Sequence, residues 1–360
     1  MEKTHLSHPA EKNPKRILYF DYLRMIAMFA VIILHVSAQN LRAVDIASPA
    51  WITFNVYDSL TRWSVPVFVM ISGSLFLNKK QPLKKLYKKN ILKLLIIIIL
   101  WTLIYNSWRA LLSNNHFTIT DFLLNLATEP YYLWFLYMLI GLYIIVPILQ
   151  QLIKNKKTTQ YFLILSFIFA FCIPELLEII SLKSNLIAEV INGKIEMMRI
   201  FMVLGFTSYF ILGYYLHNHT IKRKTEILIY VAGITGALFT IIATTLSSYF
   251  KGELITIFYE NLTINVAAMS VAVFVFFKNH LNHTISSKRY KILQLFSRCS
   301  LGVYLIHVPI LETLDSIFKI NSLSFNPLFS IPALTILILF ISYVISIALF
   351  KLPLIGKWIV

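Results

Sequence analysis

In the stretch RMIAMFAVIILH, Arg24 and His35 bracket ten apolar residues. A guanidinium binds phosphate or carboxylate. An imidazole, with a pKa near neutrality, can act as a general base. If the stretch is helical, eleven residues turn through about 1100°, three full turns plus about 20°. Arg24 and His35 then share one face, about 16 Å apart along the axis. Asp21, three residues before Arg24, is spaced to meet it on the helix surface. If Arg24 sits at a bilayer boundary, His35 reaches the midplane, where an ionisable group is costly unless it faces a bundle interior or a wet cavity. A structural histidine bonded to a neighbouring helix is the plainer alternative.

Other candidates are more isolated. His307 lies mid-span in YLIHVP, where a helix-helix hydrogen bond competes with a role in chemistry. Arg298, nine residues earlier, reads as an anchor at the helix end or a further cationic contact, and on a straight helix it projects opposite His307. Glu175 and Glu178, towards the outer end of the fifth span, are candidates to orient an imidazole, bind a polar ligand or mark the interface. Asp58 and Arg62 have the i, i+4 spacing of an ion pair. Glu260, Asn261 and Asn265 also lie in the outer half. His217, His219, His280 and His283 fall in cytoplasmic loops with no zinc-motif spacing, and no metal is expected. No phosphate-cradling glycine loop is present; the glycines of LGFTSYFILG read as packing residues.

The elements that must position these groups are membrane helices. The chain has 360 residues and is 58% hydrophobic, against about 45–50% in soluble domains. With about 20 residues per span, ten spans are expected, at 17–40, 60–77, 91–112, 131–153, 161–180, 197–217, 227–249, 258–278, 293–315 and 328–350. The amphipathic WITFNVYDSLTRW before the second span is expected to lie partly in the interface. Residues 1–16 read as a polar cytoplasmic tail, 17–351 as the membrane domain and 352–360 as a short cytoplasmic tail. No repeat or separate soluble domain is visible, and the first apolar run lacks a small-residue cleavage site, so it reads as a retained anchor. Cys172 and Cys299 fall inside apolar runs and imply no disulfide framework.

Of the 33 Lys and Arg, 23 fall in alternate segments that include the N-terminus, counting Lys93 and Lys278 with the loops they adjoin, five in the opposite ones, and five elsewhere in or at the ends of spans. That asymmetry predicts both termini in the cytoplasm. It also accounts for the net charge of +17 without nucleic acid as a partner. The most basic loop, NKKQPLKKLYKKN, is then internal, touching anionic lipid or an anionic cytosolic substrate. Trp134, Phe135 and Tyr137, with Tyr131 and Tyr132, read as an aromatic belt at the outer boundary. Ser72, Gly73 and Ser74 read as a close helix-packing patch.

Several motifs resemble those of the integral-membrane acyltransferase type 3 family. The Arg-(ten residues)-His pair of the first span is one. VPVFVMISGSLFL (65–77), LWFLYMLIGLYIIVPIL (133–149), FILGYYL (210–216) and SLGVYLIHVPIL (300–311) follow in the family's order. The resemblance implies transfer of an acyl group, commonly acetyl, from cytoplasmic acyl-CoA to a hydroxyl of an extracytoplasmic glycan or lipid-linked sugar in a bacterial plasma membrane. It implies His35 as base or acyl carrier and Arg24 as a donor contact, with Arg298 a candidate second one and Glu175 and Glu178 candidates for a sugar hydroxyl. Many relatives append an extracytoplasmic esterase-like domain. Here the chain ends at Val360, so the membrane domain is expected either to finish the transfer or to hand the acyl group to a separate extracytoplasmic protein. An exporter of envelope oligosaccharide is the competing reading, weakened by the lack of inverted repeats or paired broken helices.

Overall fold

The computed structural model describes residues 17–79, 82–112, 118, 131–183, 185–197, 205–281, 285–352 and 356. The N-terminal tail, nearly all of the expected C-terminal tail, two residues of the basic loop, His283 and the first part of the expected sixth span lie outside them. Among the described residues every regular element is helical, as lipid demands of a chain that must satisfy its backbone internally. The helices are α1 (Leu18–Asn40), α2 (Pro49–Thr61), α3 (Ser64–Leu77), α4 (Leu92–Leu112), α5 (Trp134–Leu152), α6 (Lys156–Ser166), α7 (Ile173–Ser181), α8 (Asn185–Met197), α9 (Phe206–Asn218), α10 (Arg223–Lys251), α11 (Ile264–His280), α12 (Ser287–Ser316) and α13 (Pro327–Phe350). A π-helical stretch, Phe167–Cys172, joins α6 to α7. Nine helical runs among the described residues are long and apolar enough to cross a bilayer. The protein is an all-α polytopic membrane protein.

The segment before the second span continues into it: α2 and α3 form one run, Pro49–Leu77. Trp51, Phe54, Asn55 and Asp58 of α2 are buried, against α1, α10 and α13. Asn55 finds its partners inside the protein. Asn55 Nδ2 donates to Thr245 Oγ1 at 2.7 Å, and its Oδ1 accepts from Ser59 and Tyr259 hydroxyls at 3.0 and 2.5 Å. The expected sixth span is described only as the 13-residue α9, about 20 Å long. It starts at Gly205, whose φ of +86° favours a residue without a Cβ.

Short α9 is held by close backbone approach. A Cβ added to Gly73 of α3 would lie 1.8 Å from the Phe210 carbonyl oxygen, and one added to Gly213 of α9 would lie 2.1 Å from the Met70 carbonyl oxygen. The two glycines are reciprocal notches, the small-residue packing that lets membrane helices touch. The packing reading of the Ser-Gly-Ser patch therefore holds at Gly73. Gly73→Val is expected to force the helices apart and lower stability by at least about 1–3 kcal/mol. Thermal denaturation in detergent checks this, with Gly141→Ala as the control, since nothing lies within 4 Å of that position.

Candidate active site

Helices α1 and α12 run side by side in parallel, joined at three levels in the same order. At the first, the buried Asp21 carboxylate accepts from the Ser297 hydroxyl at 2.6 Å and pairs with Arg24 at 3.6 Å. At the second, the His35 and His307 rings stand 5.0 Å apart, centre to centre. At the third, Gln39 Nε2 donates to Asp315 Oδ2 at 3.0 Å. The i, i+3 geometry expected for Asp21 and Arg24 is present. Asp21 thus ties the guanidinium to α12 while Arg24 keeps its own side chain a quarter exposed.

Arg24 and His35 open onto one cavity of about 150 Å³. Helix α1 contributes these two and Val31; α3 contributes Val65, Phe68 and Ser72. Tyr132, Trp134, Phe135 and Leu139 close a third side, and Ser300, Leu301 and Tyr304 of α12 the fourth. Because α3 and α5 run opposite to α1, Val65 and Trp134 belong to the histidine end, Ser72 and Leu139 to the arginine end. The cavity is therefore a slot with a cation at one end, an imidazole at the other and an apolar middle. Such a shape fits an extended chain with an anionic head better than a compact ion.

His307 is 1% exposed. Its Nδ1 lies 3.2 Å from the Val303 carbonyl oxygen. A carbonyl only accepts, so Nδ1 carries the proton. Nε2 is then an acceptor, and it is buried without a partner among the described residues. Tyr304, one turn earlier, donates its hydroxyl to the Tyr132 carbonyl, and Tyr105 donates to the Leu305 carbonyl. These two tyrosines pin α12 to its neighbours around the histidines.

Other candidates lie elsewhere. Arg298 is exposed and is not among the residues that line the slot. Glu175 is buried, but its Oε2 accepts from the Ile264 backbone N–H at 2.8 Å, satisfying one of the open donors at the start of α11. Glu178 is exposed, and neither glutamate borders the slot. Asp58 is fully buried and pairs with Arg62 at 2.5 Å. The Arg62 guanidinium sits 4.1 Å over the Tyr259 ring. His217 and His280 are not in loops: they lie in the last turns of α9 and α11, and the Tyr19 hydroxyl lies 2.6 Å from His217 Nδ1.

The aromatic belt reading needs correction at three positions. Tyr132, Trp134 and Phe135 face the slot rather than only the boundary, and Tyr132 is 3% exposed. Aromatics at a helix start look alike in sequence whether they meet lipid headgroups or a cavity. Ser300 and Tyr304 were overlooked as wall residues, although with His307 they recur at spacings of four and three along α12, one helix face.

Residues 17–347 match the acyltransferase 3 family, whose model is described as an acyltransferase domain. The match covers most of the chain, and the chain belongs to that family of membrane acyltransferases. No curated protein and no solved structure matches it.

Proposed function

We propose that the protein transfers an acyl group, acetyl first and succinyl second, from cytoplasmic acyl-CoA to a hydroxyl of an extracytoplasmic or lipid-linked envelope glycan. The observation that carries this is the single slot shared by Arg24 and His35. A CoA thioester is a flexible chain with phosphates at one end and the reactive carbonyl at the other. Arg24 takes a phosphate, the apolar middle takes the arm, and the thioester carbon arrives at His35. The charge asymmetry of the loops supports a cytoplasmic Arg24 end, and family membership supports acyl transfer. A bacterial plasma membrane is the matching location. The membrane lipids and a separate extracytoplasmic acyl-accepting protein are the remaining candidate partners.

His35 accepts the proton of the acceptor hydroxyl as its oxygen attacks the thioester carbonyl. The new C–O bond forms, the C–S bond breaks, and the proton passes from His35 to the departing CoA thiolate. Atoms and charge balance without metal or redox partner.

The test is thioester loss in purified protein given acetyl-CoA and an envelope glycan extract. Acceptor-dependent loss, with ester-linked acetyl recovered on the glycan, is expected. No loss despite acceptor would overturn the reading and bring the oligosaccharide exporter forward. Within this reading, Arg24→Gln is expected to raise the KM for acetyl-CoA about 10–100-fold, the worth of one charge-assisted hydrogen bond of ~1.5–3 kcal/mol. The kcat should change little. The wild-type preference for acetyl-CoA over acetyl-pantetheine, which lacks the nucleotide phosphates, should collapse in the variant. An unchanged preference would remove Arg24 from donor binding.

A further inference from the structure

The buried Nε2 of His307 has no partner among the described residues, and buried imidazole acceptors are rarely left so. Val303 fixes the tautomer from the other side of the ring. Of the two rings nearest it, Tyr304 has already committed its hydroxyl to the Tyr132 carbonyl. Of these two rings, His35 is the one with an N–H to offer, from a ring centred 5.0 Å away and tilted by 49°. Centroids at that separation leave room for one nitrogen of each ring to meet at hydrogen-bond distance when the rings face each other.

We infer that His307 is the positioning residue of the site: its Nε2 accepts the N–H of His35 and so holds the lone pair of the other His35 nitrogen towards the slot. This rests on the acyl-transfer reading only for its catalytic consequence; the pairing itself does not. The relay is directional. Val303 requires a proton on His307 Nδ1, His307 Nε2 requires a proton on the facing nitrogen of His35, and the remaining nitrogen of His35 is left free. When that nitrogen takes the acceptor's proton, the imidazolium keeps its hydrogen bond to His307 and returns the proton to the CoA thiolate. His307 gains and loses no proton.

A merely structural His307 would be replaced equally well by any side chain that fills its space. The test therefore compares His307→Leu and His307→Met, which fill the space without an acceptor, with His307→Gln, which restores one. Two readouts are taken on folded protein in detergent at neutral pH. One is acetyl-CoA turnover; the other is the rate at which diethyl pyrocarbonate modifies His35, followed by mass spectrometry, which needs no activity. Leu and Met variants are expected to lose about 100-fold in kcat, in the range of general-base catalysis, with the KM for acetyl-CoA unchanged and His35 slower to react. The Gln variant should recover at least tenfold in both. Full activity and reactivity in all three variants would overturn the inference, as would equal loss in all three. If wild type turns over no acetyl-CoA yet the reactivity pattern holds, the acyl-transfer reading fails and the histidine pair stands.

Discussion

Replacing His35 by alanine is expected to lower acyl transfer by about 10²–10⁴-fold, the span typical of a lost general base, with the fold retained. The second half of that expectation comes from where His35 sits. Its neighbours on α1, Met28 and Ile32, are fully buried in packed core, and truncating them would leave cavities. His35 is only half-buried and faces a cavity that already exists. Its removal enlarges that space and gives up one ring contact, with His307. The measurement is kcat for acetyl-CoA-dependent transfer beside the Tm of the purified variant. His35→Gly with added imidazole sharpens it: small-molecule rescue is expected because the enlarged slot admits the missing ring. A variant that turns over at the wild-type rate, or loses fold and activity together, would return His35 to a structural role.

Asp58→Ala is expected to cost about 3–5 kcal/mol of stability, the usual result of removing one partner of a buried ion pair. Asp58 has no exposure, and Arg62 keeps only a fifth of its side-chain surface exposed. After substitution the guanidinium retains the Tyr259 ring at 4.1 Å and the Tyr259 carbonyl at 3.3 Å, neither of which neutralises it. The pair also sits at the α2–α3 junction, beside the Asn55–Ser59–Tyr259 cluster that holds α2 inside the bundle. Loss of charge there is expected to loosen α2. The check is a double-mutant cycle on Asp58→Ala and Arg62→Met by thermal denaturation. The double variant should be more stable than Asp58→Ala alone, because the orphaned charge is gone. Strict additivity would mean that the pair contributes no coupling.

The contrast between the two residues follows from their surroundings. Asp58 has its charge partner on its own helix turn, with or without a ligand. His35 and Arg24 instead face an open cavity walled by α3, α5 and α12. A buried charge with its partner in place reads as support for the fold, whereas polar groups facing an apolar-walled space are available for chemistry.

What the sequence by itself determined is what local period and composition can encode. The run of apolar segments fixed the all-helical membrane class, because lipid leaves the backbone few other solutions. The helical repeat put Arg24 and His35 on one face and gave Asp21 its partner; α1 carries both consequences unchanged. Helix-face geometry also set Arg298 opposite His307, and Arg298 duly lies outside the slot. The tertiary structure decided everything that depends on a second helix. Only packing brings His307 of α12 against His35 of α1, 272 positions away in sequence. Only packing turns Tyr132, Trp134 and Phe135 from a boundary girdle into a cavity wall, and sends Glu175 to the start of α11 instead. The polar side of α2 shows the same limit. Its Asn55 meets Thr245 and Tyr259, and sequence period says which residues share a face but not what that face meets.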